Sequence, residues 1–463
     1  MSLEVVVLAA GMGTRMKSAL PKVLHPVGGQ PMLVRVLEAV RPLLPSRIHV
    51  VVGNGQEHVR SALAGSKFAD SELNYVLQAE QRGTGHAVQQ VAPALGTGQV
   101  LMLYGDVPLM TTASLRRLVN SAGMGFGLMT ADMPDPTGLG RILRDQNNAV
   151  TGIREHKDAT AAERAITEIN TGVMVIPALQ LISWLSRLQP NNAQGEYYLT
   201  DVVAMAVADG VSVVATQPDH AEETGGINDR VQLAEAERIW QRRVTQQLMR
   251  DGVSFLDPGR VDIRGSLRAG QDCCIDVNTV FEGNVVLGDR VRIGPHCFIR
   301  NARIGDDSVI ESNTSVDGAV LHARVTVGPF ARLRPGTELS DRVRIGNFVE
   351  TKKAVLGVGT KANHLAYLGD TTMGEDCNIG AGTITCNYDG MNKHRTEVGD
   401  HVFVGSNSTL VAPITLESGA FVAAGSTVTS KVPSQALAVG RARQRNIEGW
   451  VRPDQRPINA DDD

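Results

Sequence analysis

The chain has 463 residues, too many for one hydrophobic core, so two large domains are expected. Its 45 Lys and Arg against 49 Asp and Glu leave a net charge of −4, which supplies no global attraction to nucleic acid or to an anionic membrane surface. No stretch approaches the ~20 apolar residues of a membrane span, and the five cysteines form no C-x-x-C pair, as suits reduced thiols in a cytoplasmic protein.

Residues 4–10 are apolar after an acidic Glu4, with no basic region before them, and so predict a buried strand rather than a signal peptide. Gly11-Met12-Gly13-Thr14-Arg15-Met16 follows at once. Strand, glycine turn and helix in that order let backbone N–H groups approach an anion, with Arg15 and Lys22 to supply charge. The turn is neither G-x-G-x-x-G nor a Walker A loop, and taken alone it reads equally as a tight strand-to-helix connection. Apolar strands at 48–52, 100–103 and 172–176 alternate with helical stretches at 32–39 and 112–120. That alternation predicts a doubly wound, Rossmann-like α/β domain whose ligands bind beyond the carboxyl ends of the strands. Asp106 lies at such an end, where a carboxylate either holds Mg²⁺ against phosphate oxygens or caps a turn.

The stretch LAAGMGTRMKSALPKVLHPVGGQPM (8–32) resembles the signature of the sugar-phosphate nucleotidyltransferases. VLQAEQRGTGHAV (76–88), LMLYGDVPL (101–109), PTGLGRI (136–142), GIREHKDAT (152–160), EINTGVMV (168–175) and NAQGEYYLTD (192–201) narrow the resemblance. They are similar to the bifunctional N-acetylglucosamine-1-phosphate uridyltransferase and glucosamine-1-phosphate acetyltransferase family. This resemblance implies that Leu8, Ala9, Ala10, Gly11, Gln78, Gly83 and Thr84 surround the uracil and ribose of UTP. It places Tyr104, Gly105, Asp106, Gly140, Glu155, Asn170 and Asn228 on the sugar side, with Asp106 and Asn228 as Mg²⁺ ligands. The nucleophile is then an anionic sugar phosphate attacking the α-phosphorus with loss of pyrophosphate. Positioning and charge neutralisation by Lys22 and Arg15 suffice, without a general base. Met12 stands where the family often has a basic residue, which puts one phosphate contact in question.

From 229 to 251 the pattern changes: Leu233, Ala236, Trp240, Val244 and Leu248 recur at steps of three and four, predicting an amphipathic linking helix. The expected organisation is a nucleotidyltransferase domain at 1–228, that helix at 229–251, and a second domain at 252–463.

The second domain is written in sixes. Leu287, Ile293, Ile299, Ile304, Ile310, Val316, Leu321, Val327, Leu333, Leu339 and Ile345 follow one another every six residues, shortened to five at Ile304 and Leu321. With looser hexads carrying it from Val261 to about Ser430, the period predicts a parallel β-helix of about nine or ten turns in which each hexad gives one strand and one turn. Aliphatics point inward, while glycine and Asp/Asn take the turns where positive φ is easiest. The rhythm is expected to fail between Thr351 and Gly374, around Lys352, Lys353, His364 and Tyr367, and again between Thr385 and Val398, around Asn387, Tyr388 and Lys393. Loops thrown out of a solenoid are where its sites lie.

NHLAYLGD (363–370) resembles the H-x-x-Y-L-G-D pattern of the acetyltransferase half of the same family. The resemblance implies a left-handed coil, a hand the spacing alone does not give, and a homotrimer whose acetyl-transfer sites form between chains. It makes His364 the general base, oriented by Glu350, that frees the sugar amine to attack acetyl-CoA. Arg334, Lys352, Tyr367 and Asn378 would hold the sugar phosphate, and Ala381, Asn387, Tyr388, Ser406, Ala424 and Arg441 the acetyl-CoA. The product of both steps would be UDP-N-acetylglucosamine, a precursor of bacterial cell-wall and lipopolysaccharide sugars. The polar, proline-broken end RPDQRPINADDD is expected to be disordered.

Overall fold

The computed structural model describes residues 2–11, 13–53, 55–66, 68 and 72–455. Met12 and the end of the tail, on which two expectations fell, lie outside them. The chain divides into two compact units, Met1–Gln247 with Asp262–Gly265, and Leu248–Val261 with Ser266–Asp463. No helix among the described residues is long and apolar enough to cross a membrane.

The first unit is built around the strand Leu3–Leu8, which pairs in parallel with Arg47–Val52 on one side and Gln99–Tyr104 on the other. Its alternate residues serve two cores: Val5 and Val7 pack with Leu33, Leu37 and Leu101, and Val6 and Leu8 with Val88, Met102 and Trp184. Burial on both faces is why the strand reads as an unbroken apolar run. The three predicted strands are present as Arg47–Val52, Gln99–Tyr104 and Glu168–Pro177, and the two helices as Met32–Val40 and Thr112–Ala122. The sheet is mixed, however, because Glu168–Pro177 runs antiparallel to both neighbours. The short strands Arg141–Arg144 and Val150–Arg154 extend its outer end. The amphipathic helix is one element, Arg230–Arg250, and all but its last turn belongs to the first unit. Ala236, with Trp240 beside it, packs against Val27, Met32 and Leu109, and Glu237 accepts the Gly28 amide at 2.7 Å. The apolar face of the helix is thus packed on the first unit.

The second unit is a parallel coil with strands on three faces, eleven of them on one face from Ser254–Phe255 to Leu437–Ala438. It therefore continues at both ends past the nine or ten turns the repeat suggested, where rungs lack the aliphatic-glycine signature. Every aliphatic from Leu287 to Ile345 in the hexad series is buried. Each such side chain stabilises the coil by about 1.5–3 kcal/mol relative to exposure.

One expectation about the coil is met in part and another needs correction. Of the glycines that directly follow inward aliphatics, Gly288, Gly294, Gly305 and Gly346 are not at positive φ, whereas Gly328, after Val327, is at φ +104°. A Cβ on Gly305 would come within 2.7 Å of the His322 carbonyl in the next turn, so glycine is there to let successive turns approach. Positive φ at the corners falls to other glycines such as Gly318, Gly336, Gly359 and Gly382, to Asp and Asn as expected, among them Asn278, Asn301, Asp307 and Asn313, and also to His296, Phe330, Phe348 and Leu365.

The first predicted interruption is also absent. Glu350–Leu356, Lys361–His364 and Tyr367–Met373 are ordinary rungs, with Thr351, Leu356, Ala362, Leu368 and Met373 buried in the inward positions. Threonine and alanine filling aliphatic slots hid the period. The second interruption is real: the register step is 18 residues from Val398 to Leu416 but 25 from Met373 to Val398. The extra residues leave the coil as a hairpin closed by the Tyr388–Lys393 bridge. Of the five thiols, all free, Cys273, Cys297 and Cys377 are buried in the coil and Cys274 and Cys386 half-buried.

Candidate active sites

In the first unit a cleft of about 340 Å³ opens at the carboxyl ends of the central strands. Leu8, Ala9, Ala10, Gly11, Lys22, Gln78, Gly83, Thr84, Tyr104 and Asp106 line it, with Gln81 and Glu196 added. The strand ends are tied together: Ala9 donates its amide to the Val51 carbonyl at 2.8 Å and Gly105 to that of Leu8 at 2.9 Å. Gly83 has φ +108°, and a Cβ there would lie 2.6 Å from the Tyr197 carbonyl oxygen, so only glycine permits this wall. Gln81 escaped the sequence reading although it lies in a quoted motif; its amide donates to the Ala10 carbonyl at 2.5 Å and closes the cleft's edge.

Lys22, Asp106 and Asn228 meet at one point. The Ile227 amide donates to the Asp106 carbonyl at 3.0 Å, which fixes the chain so that Asn228 falls beside the carboxylate. The Lys22 ammonium then donates to both Asp106 Oδ2 and, at 3.1 Å, Asn228 Oδ1. A carboxylate and an amide oxygen aimed at one cation form a hard donor pair of the kind Mg²⁺ uses when water completes its shell. Groups of three or more His, Cys, Asp or Glu able to hold a metal are absent among the described residues. Arg15 is exposed in the short turn Thr14–Met16 and does not line the cleft.

Gly140, Glu155 and Asn170 come together on the far side. Asn170 donates its amide to the Gly140 carbonyl at 2.8 Å, and a Cβ on Gly140 would stand 3.3 Å from Glu155 Oε1. Glu155 accepts the Thr200 hydroxyl at 3.1 Å. Burial, with the charges of Asp201 and Asp158, holds its carboxyl above the usual glutamate range, against the lowering effect of Thr200. Burial likewise pushes the Tyr104 phenol up, reinforced by Glu155 and Asp106. Close to Gly140 the site thus holds Glu155, a carboxyl reluctant to ionise.

In the second unit, the assigned residues fall into columns. Asn347 and His364 are register partners, and the same corner recurs one turn on as Ala381, then Ser406, then Ala424. The column is laced by Asn407 donating to the Ala381 carbonyl at 2.6 Å and Gly425 to that of Ser406 at 2.8 Å. Arg441 caps it, donating to the Ala424 carbonyl at 2.9 Å. On the adjoining face Glu350 and Tyr367 are neighbours, and Lys352 lies beside Gly369. Asn378 follows Lys361 on the face that carries His364.

Glu350 does not reach the imidazole within the chain: it accepts from Arg334 at 2.8 Å and lies 3.5 Å from Arg332. His364 Nδ1 instead meets Asn347 Oδ1 at 3.1 Å. An amide oxygen only accepts, so Nδ1 carries the proton and the Nε2 lone pair is free to act as a base. Asn347 lies one coil turn before His364, a spacing that would have identified it.

Lys393, held in the hairpin, stands against Lys352; its charge, with that of Arg334, pushes the Lys352 ammonium below its usual range. Three cations in so small a space suit an anion. The hairpin is fixed by Asn387 Nδ2 donating to Asp370 at 2.5 Å and by the 2.7 Å contact of His394 with Asp389. Asp389, accepting the Asn392 amide first and His394 next, has a carboxyl held far below the usual range. Tyr388 stays exposed and donates to the Gly390 carbonyl at 2.5 Å.

Comparison with known families agrees with this division. Residues 5–161 match the MobA-like NTP transferase domain, residues 270–301 the bacterial transferase hexapeptide (six repeats), and residues 395–430 the hexapeptide repeat of succinyl-transferase. The bifunctional protein GlmU of Alkalilimnicola ehrlichii is 56% identical over 457 residues, covering 98% of both chains. Those of Stutzerimonas stutzeri and Pseudomonas putida are 55% and 54% identical, covering 98% of this chain and 99% of theirs.

Proposed function

The chain belongs to the GlmU family of bifunctional proteins, with which it aligns from end to end, and from that premise we propose how its two units divide the work. It is a bifunctional transferase. The coil moves the acetyl group of acetyl-CoA to the amine of glucosamine 1-phosphate. The first unit joins the resulting N-acetylglucosamine 1-phosphate to the uridylyl group of UTP and releases pyrophosphate. The observation that carries the nucleotidyl reading is the meeting of Lys22, Asp106 and Asn228 at the mouth of a cleft walled by Leu8–Gly11, Gln78, Gly83 and Thr84.

Asp106 and Asn228 would hold Mg²⁺, which when bound supplies positive charge to the phosphate oxygens. Lys22 brings a second charge to the same place, and Arg15, exposed in the turn Thr14–Met16, would add a third. The backbone at Ala9 to Gly11 and the Gln78 amide receive the base and ribose, while Gly140, Glu155 and Asn170 orient the acceptor sugar. With the nucleophile already anionic, alignment and charge neutralisation supply the rate. In the coil, His364 takes a proton from the attacking amine through Nε2. Arg334, Lys352, Tyr367 and Asn378, joined by Lys393, hold the phosphate. The column Ala381, Ser406, Ala424 and Arg441, with Asn387 and Tyr388 beside it, receives acetyl-CoA. Three flat faces on the coil favour a homotrimer in the cytoplasm, each acetyl-transfer site being completed by a neighbour.

Two assays test this. Pyrophosphate release from UTP and N-acetylglucosamine 1-phosphate should require Mg²⁺ and fall at least about a hundredfold in Asp106→Ala, while CoA release stays intact. CoA release from acetyl-CoA and glucosamine 1-phosphate should fall about 10²- to 10⁴-fold in His364→Ala, with pyrophosphate release intact. Undiminished turnover in either variant sinks the corresponding half of the proposal.

A further inference from the structure

Arg141 is 1% exposed, one of the largest fully buried side chains in the protein. A guanidinium cannot shed its proton to escape the cost of burial, so an arginine in such a place has to be compensated by acceptors. Its acceptors here are the Leu139 carbonyl, bound by Nη1, the Arg164 carbonyl, 3.3 Å from Nη2, and His156 Nδ1, 3.4 Å from Nη2. Nε has no partner at all. A cation held by two carbonyls and an imidazole, with its Nε–H left over, is a poor device for stability alone.

What it joins is informative. Leu139 belongs to the loop that delivers Gly140, His156 follows Glu155, and Arg164 ends the short helix Ala161–Arg164. The two backbone ladders that carry these pieces also cross at this residue, since Arg141 is the register partner of both Arg154 and Ile169. Gly140 lies against Glu155 and gives its carbonyl to the Asn170 amide. Arg141, one residue further along a strand, turns its side chain the opposite way. One side of this junction is thus the Gly140, Glu155 and Asn170 surface; the other is the guanidinium.

We propose that Arg141 is a positioning residue for the acceptor sugar: from behind, it fixes the spacing between the Gly140 loop and the Glu155 turn, touching neither substrate. The inference rests on the reading of Gly140, Glu155 and Asn170 as sugar contacts. A shift of a fraction of an ångström in either segment misplaces a hydroxyl partner, whereas the uridine wall, built on Leu8–Gly11, Gln78, Gly83 and Thr84, is anchored elsewhere.

The test uses the full-length protein with Arg141→Lys, which keeps the charge but cannot span three acceptors, and Gly140→Ala. Initial rates of pyrophosphate release are measured with each substrate varied, and amide hydrogen exchange is followed across residues 136–141 and 155–158. Arg141→Lys should raise KM for N-acetylglucosamine 1-phosphate about tenfold or more, leave KM for UTP within about twofold, and speed exchange in both segments. KM values that rise together, or a sugar KM that stays put while exchange speeds up, overturn the positioning role and leave a structural one. The underlying reading fails separately: Gly140→Ala should raise the sugar KM, since a Cβ there crowds Glu155. If Gly140→Ala leaves that KM unchanged, the sugar does not bind there, whatever Arg141→Lys does.

Discussion

As the proposed sugar contact, Glu155 would tie substrate binding to stability in opposite directions. Its carboxyl is held above the ordinary range chiefly by burial and then by Asp201 and Asp158, so the folded chain keeps this proton more tightly than the unfolded one. The stability it contributes is full below the ordinary glutamate pKa and is lost as pH rises through the raised value. Glu155→Gln cannot ionise. It should therefore melt above the parent at neutral pH, with the gain vanishing near pH ~4, while its KM for the sugar phosphate rises. Thermal melts across that range beside initial-rate kinetics check both halves, and equal melting temperatures at neutral pH would contradict the burial argument. Asp201, raised by burial and by Asp158, acts in the same sense.

The coil shows at the level of its elements how much a repeat can and cannot disclose. Its regular rungs were legible because isoleucine, valine and leucine fill the inward slots from Leu287 to Ile345. The rungs carrying Lys352 and His364 were not, because Thr351 and Ala362 fill the same slots with little apolar signal. Those slots are small. Ala362→Leu should overpack its rung and cost about 1–3 kcal/mol, read as a lower denaturation midpoint of the coil, whereas a slack slot would leave the midpoint unchanged. In the other unit, Asp106 could be read from its place at a strand end. Asn228 could not, since only folding brings it to Asp106, and Asn347 carries no charge to mark it as the partner of His364, though it lies one coil turn before it. Resemblance supplied Ala381, Ser406 and Ala424, which carry no chemistry of their own; their sense lies in the column they form.

Over the whole molecule, two units share one chain without sharing a boundary at one point. Asp262–Gly265 belongs with the first unit although Leu248–Val261 precedes it in the second. Gln241 and Ile263 exchange two hydrogen bonds at 2.9 and 2.8 Å, and Arg238 pairs with Asp262 at 2.6 Å. A fragment ending at Asp251 loses these contacts, which are worth about 1–3 kcal/mol together. It should melt below one ending at Gly265, and identical melting curves would show that the segment is not part of that unit's fold. The column of the coil carries a different kind of information. Its rungs repeat at a fixed rise of about 4.8 Å, so His364, Ala381, Ser406 and Ala424 are graduations on a ruler spanning about 14 Å. An elongated ligand such as the arm of acetyl-CoA would be measured against that scale, and the hairpin bearing Lys393 could be thrown out between two marks without moving either. In such a scaffold the reach of a ligand is counted in whole rungs, and evolution can lengthen it only by adding one.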